Sequence, residues 1–212
     1  MKNIIWLSCI LCMGCGKQES QEVQLQKASL EVTNTTMQNA ADTLWIDKLS
    51  SDVQWIGRKV TGEHSGRIQV AGGFIVKNNG VFDRGEILMN MQSITVDDIE
   101  DPKWNQKLVD HLKNDDFFNA EKYPTAKFVF DKFKGKGADT HVSGNLTIRD
   151  KTVPTNLIVN VVMDSDSSYS TGSVNVDRSL FDVKYGSGSF FEGLGDKMIM
   201  DDFTLNFKLI AR

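Results

Sequence analysis

Three histidines, three adjacent acid pairs and an arginine upstream of a glycine-rich stretch are the residues of this sequence whose types could carry chemistry. No two of His64, His111 and His141 show a metal-ligand spacing such as H-x-x-x-H, so no metal site is expected and each reads alone as a capped or surface histidine. His111 is kept in reserve as an acid or base because it falls in the one convincing helical segment. The pairs Asp97-Asp98, Asp115-Asp116 and Asp201-Asp202 would suit general acid/base work or calcium if both carboxylates met at one site. Neighbours on a strand point to opposite faces, so solvated charge or helix capping is expected for all three. The run YGSGSFFEGLGDK, from Tyr185 to Lys197, could offer backbone N–H groups and a lysine to a phosphate or another polar head, with Arg178 as a bidentate clamp. Its glycines match neither a P-loop nor a dinucleotide fingerprint, so a mobile loop, and an Arg178 paired with a surface acid, are expected instead. There is no G-x-S-x-G elbow and no H-E-x-x-H helix, so no catalytic residue is assigned and an enzyme is the minority reading.

The chain has 212 residues and a net charge of −4, with 25% charged and 40% hydrophobic residues, which suits one globular domain with something in front of it. Basic residues nowhere gather into a block, which excludes the electrostatic footprint of a nucleic-acid partner. Cys9, Cys12 and Cys15 all lie in the opening MKNIIWLSCILCMGC, leaving no thiol in the folded part for a disulfide, a metal or nucleophilic catalysis. That opening places Lys2 before an apolar run from Ile4 to Met13, the pattern of an export signal. The run is about half the roughly 20 residues a membrane-spanning helix needs. Met13-Gly14-Cys15 resembles a bacterial lipobox, which implies cleavage after residue 14 and a lipidated Cys15 as the mature terminus; Cys12, where that pattern usually has Leu, departs from it. An ordinary secretory signal is the alternative. Gly16 after the lipidated residue, in place of the Asp typical of inner-membrane retention, points to the outer membrane, with the domain in the periplasm or at the surface. Residues 15–42, rich in Gln, Ser, Thr and Asn, read as a tether, with a short helix around Val23 to Leu30 as the one ordered element it could hold.

From Thr43 onward, period-two alternation recurs. Ile68, Val70, Phe74 and Val76 share one face, as do Ile87, Met89 and Met91; Ala126, Phe128 and Phe130; and Val142, Leu146 and Ile148. Leu157, Val159, Val161 and Met163 form another such set, followed by Phe203, Leu205, Phe207 and Leu209. With TLWID, VQWIGRKV and STGSVNV the tally is roughly eight or nine strands, about what a barrel needs. Asn78-Asn79-Gly80, Lys134 to Asp139 and Arg149-Asp150-Lys151 are short connections, so neighbours should be antiparallel. One helix is expected after the fourth or fifth strand: Asp101 as N-cap, Pro102 at the first position, and Trp104, Leu108 and Leu112 on one side until Asn114 stops it. One short helix cannot cover a large sheet, so the apolar face must be hidden by closure or by a second sheet. Phe117, Phe118 and Tyr123 follow that helix and should sit across one end, as a plug, a tunnel wall or plain core.

Specific motifs now carry a resemblance. Trp45-Ile46-Asp47, Val60 to His64, Met91 to Ile94, His111-Leu112-Lys113 with Asp116-Phe117-Phe118, Lys122 to Ala126, Gly144 to Ile148 and Asp177-Arg178 followed by YGSGSFFEGLGDK together resemble the YceI-like family of polyisoprenoid-binding periplasmic proteins, over residues 43–212. The resemblance implies an all-β, lipocalin-like antiparallel barrel whose apolar interior holds a long-chain isoprenoid, a quinone-like lipid or a related amphiphile, with no cofactor and no catalytic residues. Phe74, Met89, Met91, Phe117, Phe118, Phe128, Phe130, Phe203 and Phe207 are the expected lining. The protein should act as a monomer or homodimer, and the rival readings are a filled barrel that binds another protein and a lipid-modifying enzyme. A register slip of one residue would turn any of these strands inside out.

Overall fold

The computed structural model describes residues 42–212. The export signal, Cys15, the tether and the short helix expected around Val23 lie outside the described residues. Ten strands follow one another: β1 (Asp42–Trp45), β2 (Asp52–Lys59), β3 (Gly62–Arg67), β4 (Gln69–Asn78), β5 (Val81–Asn90), β6 (Thr125–Lys134), β7 (Thr140–Ile148), β8 (Lys151–Met163), β9 (Ser168–Asp177) and β10 (Ile199–Ala211). The one α-helix among the described residues, α1 (Pro102–Lys113), lies between β5 and β6. All pairings are antiparallel, in the order β1-β4-β5-β6-β7-β8-β9-β10-β2-β3.

The strand count exceeds the expected eight or nine because the strand expected from Arg67 onward extends back through β3 and is divided in two. Only Ile68 separates β3 from β4, and its N–H donates to the Val53 carbonyl at 3.0 Å. The first half of this bent strand pairs with β2 and the second with β5, so the two ends of the sheet order meet and the sheet closes on itself. β1 adds a second seam: Trp45 N–H donates to the Arg212 carbonyl at 2.6 Å and Arg212 N–H returns the bond at 2.9 Å. The outer edge of β3 is covered in turn, since Thr95 and Asp97 donate to Arg67 and Ser65 carbonyls, which leaves little edge for another chain to pair with.

Inside, aromatic rings lie against cross-strand glycines. Gly85 and Gly144 flank Phe130 in register, and Gly172 faces Phe207. A Cβ on Gly172 would come 2.5 Å from the Phe207 ring, and one on Gly144 would come 2.3 Å from the Val129 carbonyl oxygen. Glycine here leaves room for the rings to lie flat on the wall.

Three expectations are corrected. Phe74 and Val76 do not share a face with Ile68 and Val70, because the β4/β5 register shifts between Val70 and Gly72. Gly72 and Gly73, at φ 157° and 144°, supply the extra residue that only glycine accommodates readily, and the alternation inverts beyond them. Ile75 consequently faces inward, while Phe74 lies edge-on to the exposed Trp45, ring centroids 6.0 Å apart. Trp104 is exposed, with Lys107 over its ring; the helix buries Val109 and Leu112 instead. Met163, at the end of β8, is exposed rather than part of the inner set.

α1 begins as its capping residues dictate: the Asp101 carboxylate accepts from Lys103 N–H at 2.9 Å and Trp104 N–H at 3.1 Å. Replacing Asp101 by Ala should cost about 1 kcal/mol and lower the thermal midpoint by about 2–4 °C. Gly144→Ala, which must push a backbone carbonyl aside, should cost more, about 1–3 kcal/mol. Thermal melts of the two variants test both, and a Gly144→Ala protein as stable as the parent would show that the wall is not close-packed there.

Candidate ligand-binding cavity

The curled sheet encloses a cavity of about 210 Å³. Its walls are hydrocarbon almost throughout: Val53 and Trp55 from β2, Ile87 and Met89 from β5, Phe128, Phe130 and Phe133 from β6, Leu157 and Val159 from β8, and Phe203, Leu205 and Phe207 from β10. Of the expected lining, Met89, Met91, Phe117, Phe118, Phe128, Phe130, Phe203 and Phe207 lie on this wall and Phe74 does not. Sequence reading missed Ile75, Phe82 and Phe133. The signal for Ile75 was the Gly72-Gly73 pair within a strand, which marks a bulge. Phe82 and Phe133 stand beyond register shifts in β5/β4 and β6/β7 that left no such mark.

One end is covered by the segment after α1, and hydrogen bonds to the helix terminus explain its course. Phe118 N–H donates to the Leu112 carbonyl at 3.2 Å, Ala120 N–H to Lys113 at 2.8 Å and Asn119 N–H to Asn114 at 2.7 Å. The carbonyls left without intrahelical partners are thereby satisfied, and the chain is folded back under the helix. Leu112, Phe117 and Phe118 are turned into the cavity as a result. Phe117 is 7% exposed and meets His111, Tyr185 and Phe118 at centroid distances of 4.9, 5.7 and 6.1 Å; Phe118 in turn meets Phe203 at 6.2 Å. Offset and edge-on contacts of this kind add to simple burial. Plain core and tunnel wall are therefore the same residues here.

Arg178 lies at this end and corrects the expectation of a surface pair. It is 3% exposed, and its Nε, Nη1 and Nη2 donate to the carbonyls of Met200, Val183 and Ile199 at 3.1, 2.8 and 3.0 Å. Nη2 also stands 3.4 Å from Asp201, and the guanidinium lies over the Phe117 ring at 5.8 Å. Burial pushes its pKa below the ordinary arginine value, against the opposing pull of Asp201 and Asp177. Desolvation works to raise the Asp201 pKa, but hydrogen bonds from Ser187 and Ser189 and the Arg178 charge outweigh it, and the carboxyl is held below its usual range. With every guanidinium nitrogen already donating to the chain's own carbonyls, Arg178 ties the β9–β10 connection to the barrel rather than waiting for a head group. The glycine-rich run is likewise held in place: Ser187 is fully buried, Ile199 N–H donates to the Gly186 carbonyl at 2.8 Å, and the Ser189 hydroxyl to Asp201 at 2.6 Å.

The other chemistry-bearing residues stay apart. Asp98 accepts from His64 at 2.8 Å, Asp97 pairs with Arg67, Asp116 lies 3.5 Å from His111, and His141 is exposed. Among the described residues no three His, Cys, Asp or Glu side chains gather as a metal site. Met200 is the one exposed residue in the lining, at 41%, beside the register shift in β10 between Ile199 and Phe203, and it marks where the cavity opens toward solvent.

Comparison with known proteins agrees with this architecture. The Burkholderia cenocepacia protein BcnA superposes with a TM-score of 0.59 at 22% identity, covering 79% of this chain and 99% of that one. A polyisoprenoid binding domain from Saccharophagus degradans, implicated in plant cell wall breakdown, gives a TM-score of 0.60 at 13% identity, covering 82% and 99%. By sequence, Protein YceI of Escherichia coli O17:K52:H18 is 28% identical over 93 residues, 44% of this chain and 45% of that protein. A UPF0312 protein of Pseudomonas aeruginosa strain LESB58 is 25% identical over 118 residues, 53% and 58% respectively. The matched stretch thus spans about half the length of these curated relatives. The sequence model of the YceI-like domain matches residues 45–211, nearly the whole barrel, and the chain belongs to the YceI-like family.

Proposed function

We propose that the barrel holds one long apolar chain, such as a polyisoprenoid, an isoprenoid quinone or a related amphiphile, and carries, stores or shields it in a bacterial envelope. The observation that carries this reading is the hydrocarbon-walled cavity of about 210 Å³. The Saccharophagus neighbour, described as a polyisoprenoid binding domain, supports the ligand class. Magnitudes favour a long chain over a short one. Burial contributes about 0.8 kcal/mol per methylene, whereas association costs about 4–15 kcal/mol, so ten buried carbons roughly break even and twenty bind firmly. Burial of this kind asks for no catalytic group, and the reading is of a binding protein rather than an enzyme. The open interior disfavours the rival reading of a filled barrel that serves only as a protein-interaction module.

Export by residues 1–14, lipidation at Cys15, tethering by residues 15–42 and a location at the outer membrane complete the proposal. They rest on the sequence pattern of the opening segment. A lipidated terminus would keep the barrel near the bilayer from which its ligand comes.

Native mass spectrometry of residues 17–212, with organic extraction of anything retained, tests the reading. Stoichiometric co-purification of a long-chain lipid is expected. A protein that emerges empty and takes up neither polyprenols nor quinones would overturn it. Phe118→Ala should reduce lipid retention with a modest loss of stability, because the side chain is only half-buried. Phe117→Ala should cost about 3–5 kcal/mol in a melt, as truncation of a buried Phe does.

A further inference from the structure

Polar groups that the lipid-binding reading does not use stand at the β8–β9 turn end of the barrel. Lys77 stands two residues beyond Ile75 on β4 and opposite Phe82 in register, both of which line the cavity, and Lys77 itself is 5% exposed. Its ammonium donates to the Ser165 carbonyl in the β8–β9 turn at 2.8 Å. No second acceptor meets it among the described residues, although an ammonium has three N–H bonds to place. Three residues further along, Ser168 is 3% exposed and its hydroxyl has no hydrogen-bond partner. Ser170, on the same face of β9, lines the cavity itself. Ser168 lies opposite Ala211, and Ser170 lies between Val161 and Leu209, two further lining residues.

A buried hydroxyl without a partner and a buried ammonium with one acceptor are costly unless something completes them. The contrast with the helix end is direct. Arg178, the cation there, already donates to three backbone carbonyls and stands beside a carboxylate. One cation is saturated by the chain, whereas the other has a single acceptor, and the Ser168 hydroxyl three residues beyond that acceptor has none.

We infer that the Lys77, Ser168 and Ser170 end is a subsite for an oxygen acceptor, and that the ligand class includes long apolar chains ending in a carboxylate, which enter polar end first and leave the hydrocarbon under the helix. This deepens the lipid-binding reading and rests on it. The hydrocarbon wall supplies affinity for any long chain, and this subsite selects among chains by their terminus.

Oleate and oleyl alcohol share one chain and differ in the terminus. Their binding to the barrel and to Lys77→Met is measured by titration calorimetry, alongside a melt of each protein. The parent should bind oleate about tenfold tighter than the alcohol, as expected for a hydrogen bond to a charged group. Lys77→Met, which keeps the stem and removes the charge, should lose that preference while binding the alcohol within about twofold of the parent. Ser168→Ala/Ser170→Ala, which leaves Lys77 in place, should reduce the preference as well and guards against a Lys77→Met protein that does not fold. Equal affinities in the parent, or a folded Lys77→Met that loses both ligands alike, would overturn the subsite and leave lipid binding standing. If the parent binds neither ligand, the subsite and the reading beneath it fall together.

Discussion

The structure depends on one bend. An antiparallel sheet with a single apolar face and one short helix has nothing to cover that face except itself. Closure requires the strand that leaves β2 to arrive beside β5, and Ile68 is where this happens: the chain pairs with β2 up to Arg67 and with β5 from Gln69 onward. A closed sheet has few unpaired edges, so its backbone groups are satisfied within the wall, and the interior need supply only shape. Cross-strand glycines then let Phe130 and Phe207 lie against the wall, and the volume that they do not fill remains as the cavity.

An interior built this way is undemanding about what it holds. Met89 and Met91 are unbranched and adaptable, and the phenylalanines meet one another edge-on or tilted, so the wall can fit irregular hydrocarbon without losing many contacts. Affinity then follows buried length far more than chemical detail. Discrimination has to come from the few polar residues among the lining, which are Lys127, Thr155, Ser170 and Arg178, and from polar groups next to them.

Much of this was legible in the sequence, and the failures have physical causes. Period-two patterning gave the barrel class because an apolar inner face imposes it on each strand, and the Asp101-Pro102 start of the helix was readable because capping is local chemistry. Eight of the nine expected lining residues lie on the cavity wall. Phe74 failed because alternation assumes constant register, and the Gly72-Gly73 bulge breaks it in mid-strand. Arg178 failed for a different reason. Its partners are the carbonyls of Val183, Ile199 and Met200, and no residue type in a sequence announces an acceptor that belongs to the backbone. β3 was likewise hidden, since Gly62 to Arg67 carries no apolar alternation and only the run from Arg67 onward reads as a strand.

The helix end raises a question of passage that its contacts help to answer. Phe117 is bound on several sides, by His111, Tyr185, Phe118 and the Arg178 guanidinium, and its carbonyl accepts from Arg149 at 3.3 Å. Opening a path through Phe117 would break this cluster together, at a cost that sums over its members. Met200 carries no such set of ring contacts, is 41% exposed, and sits where β10 slips against β2 and the ladder is locally interrupted. A flexible thioether beside a broken ladder is the cheaper gate, because moving it disturbs neither a closed hydrogen-bond pattern nor an aromatic stack. By this argument the helix and its phenylalanines are the fixed roof of the cavity, and under the proposed lipid-binding role the β10 bulge is the side on which a long chain would enter and leave.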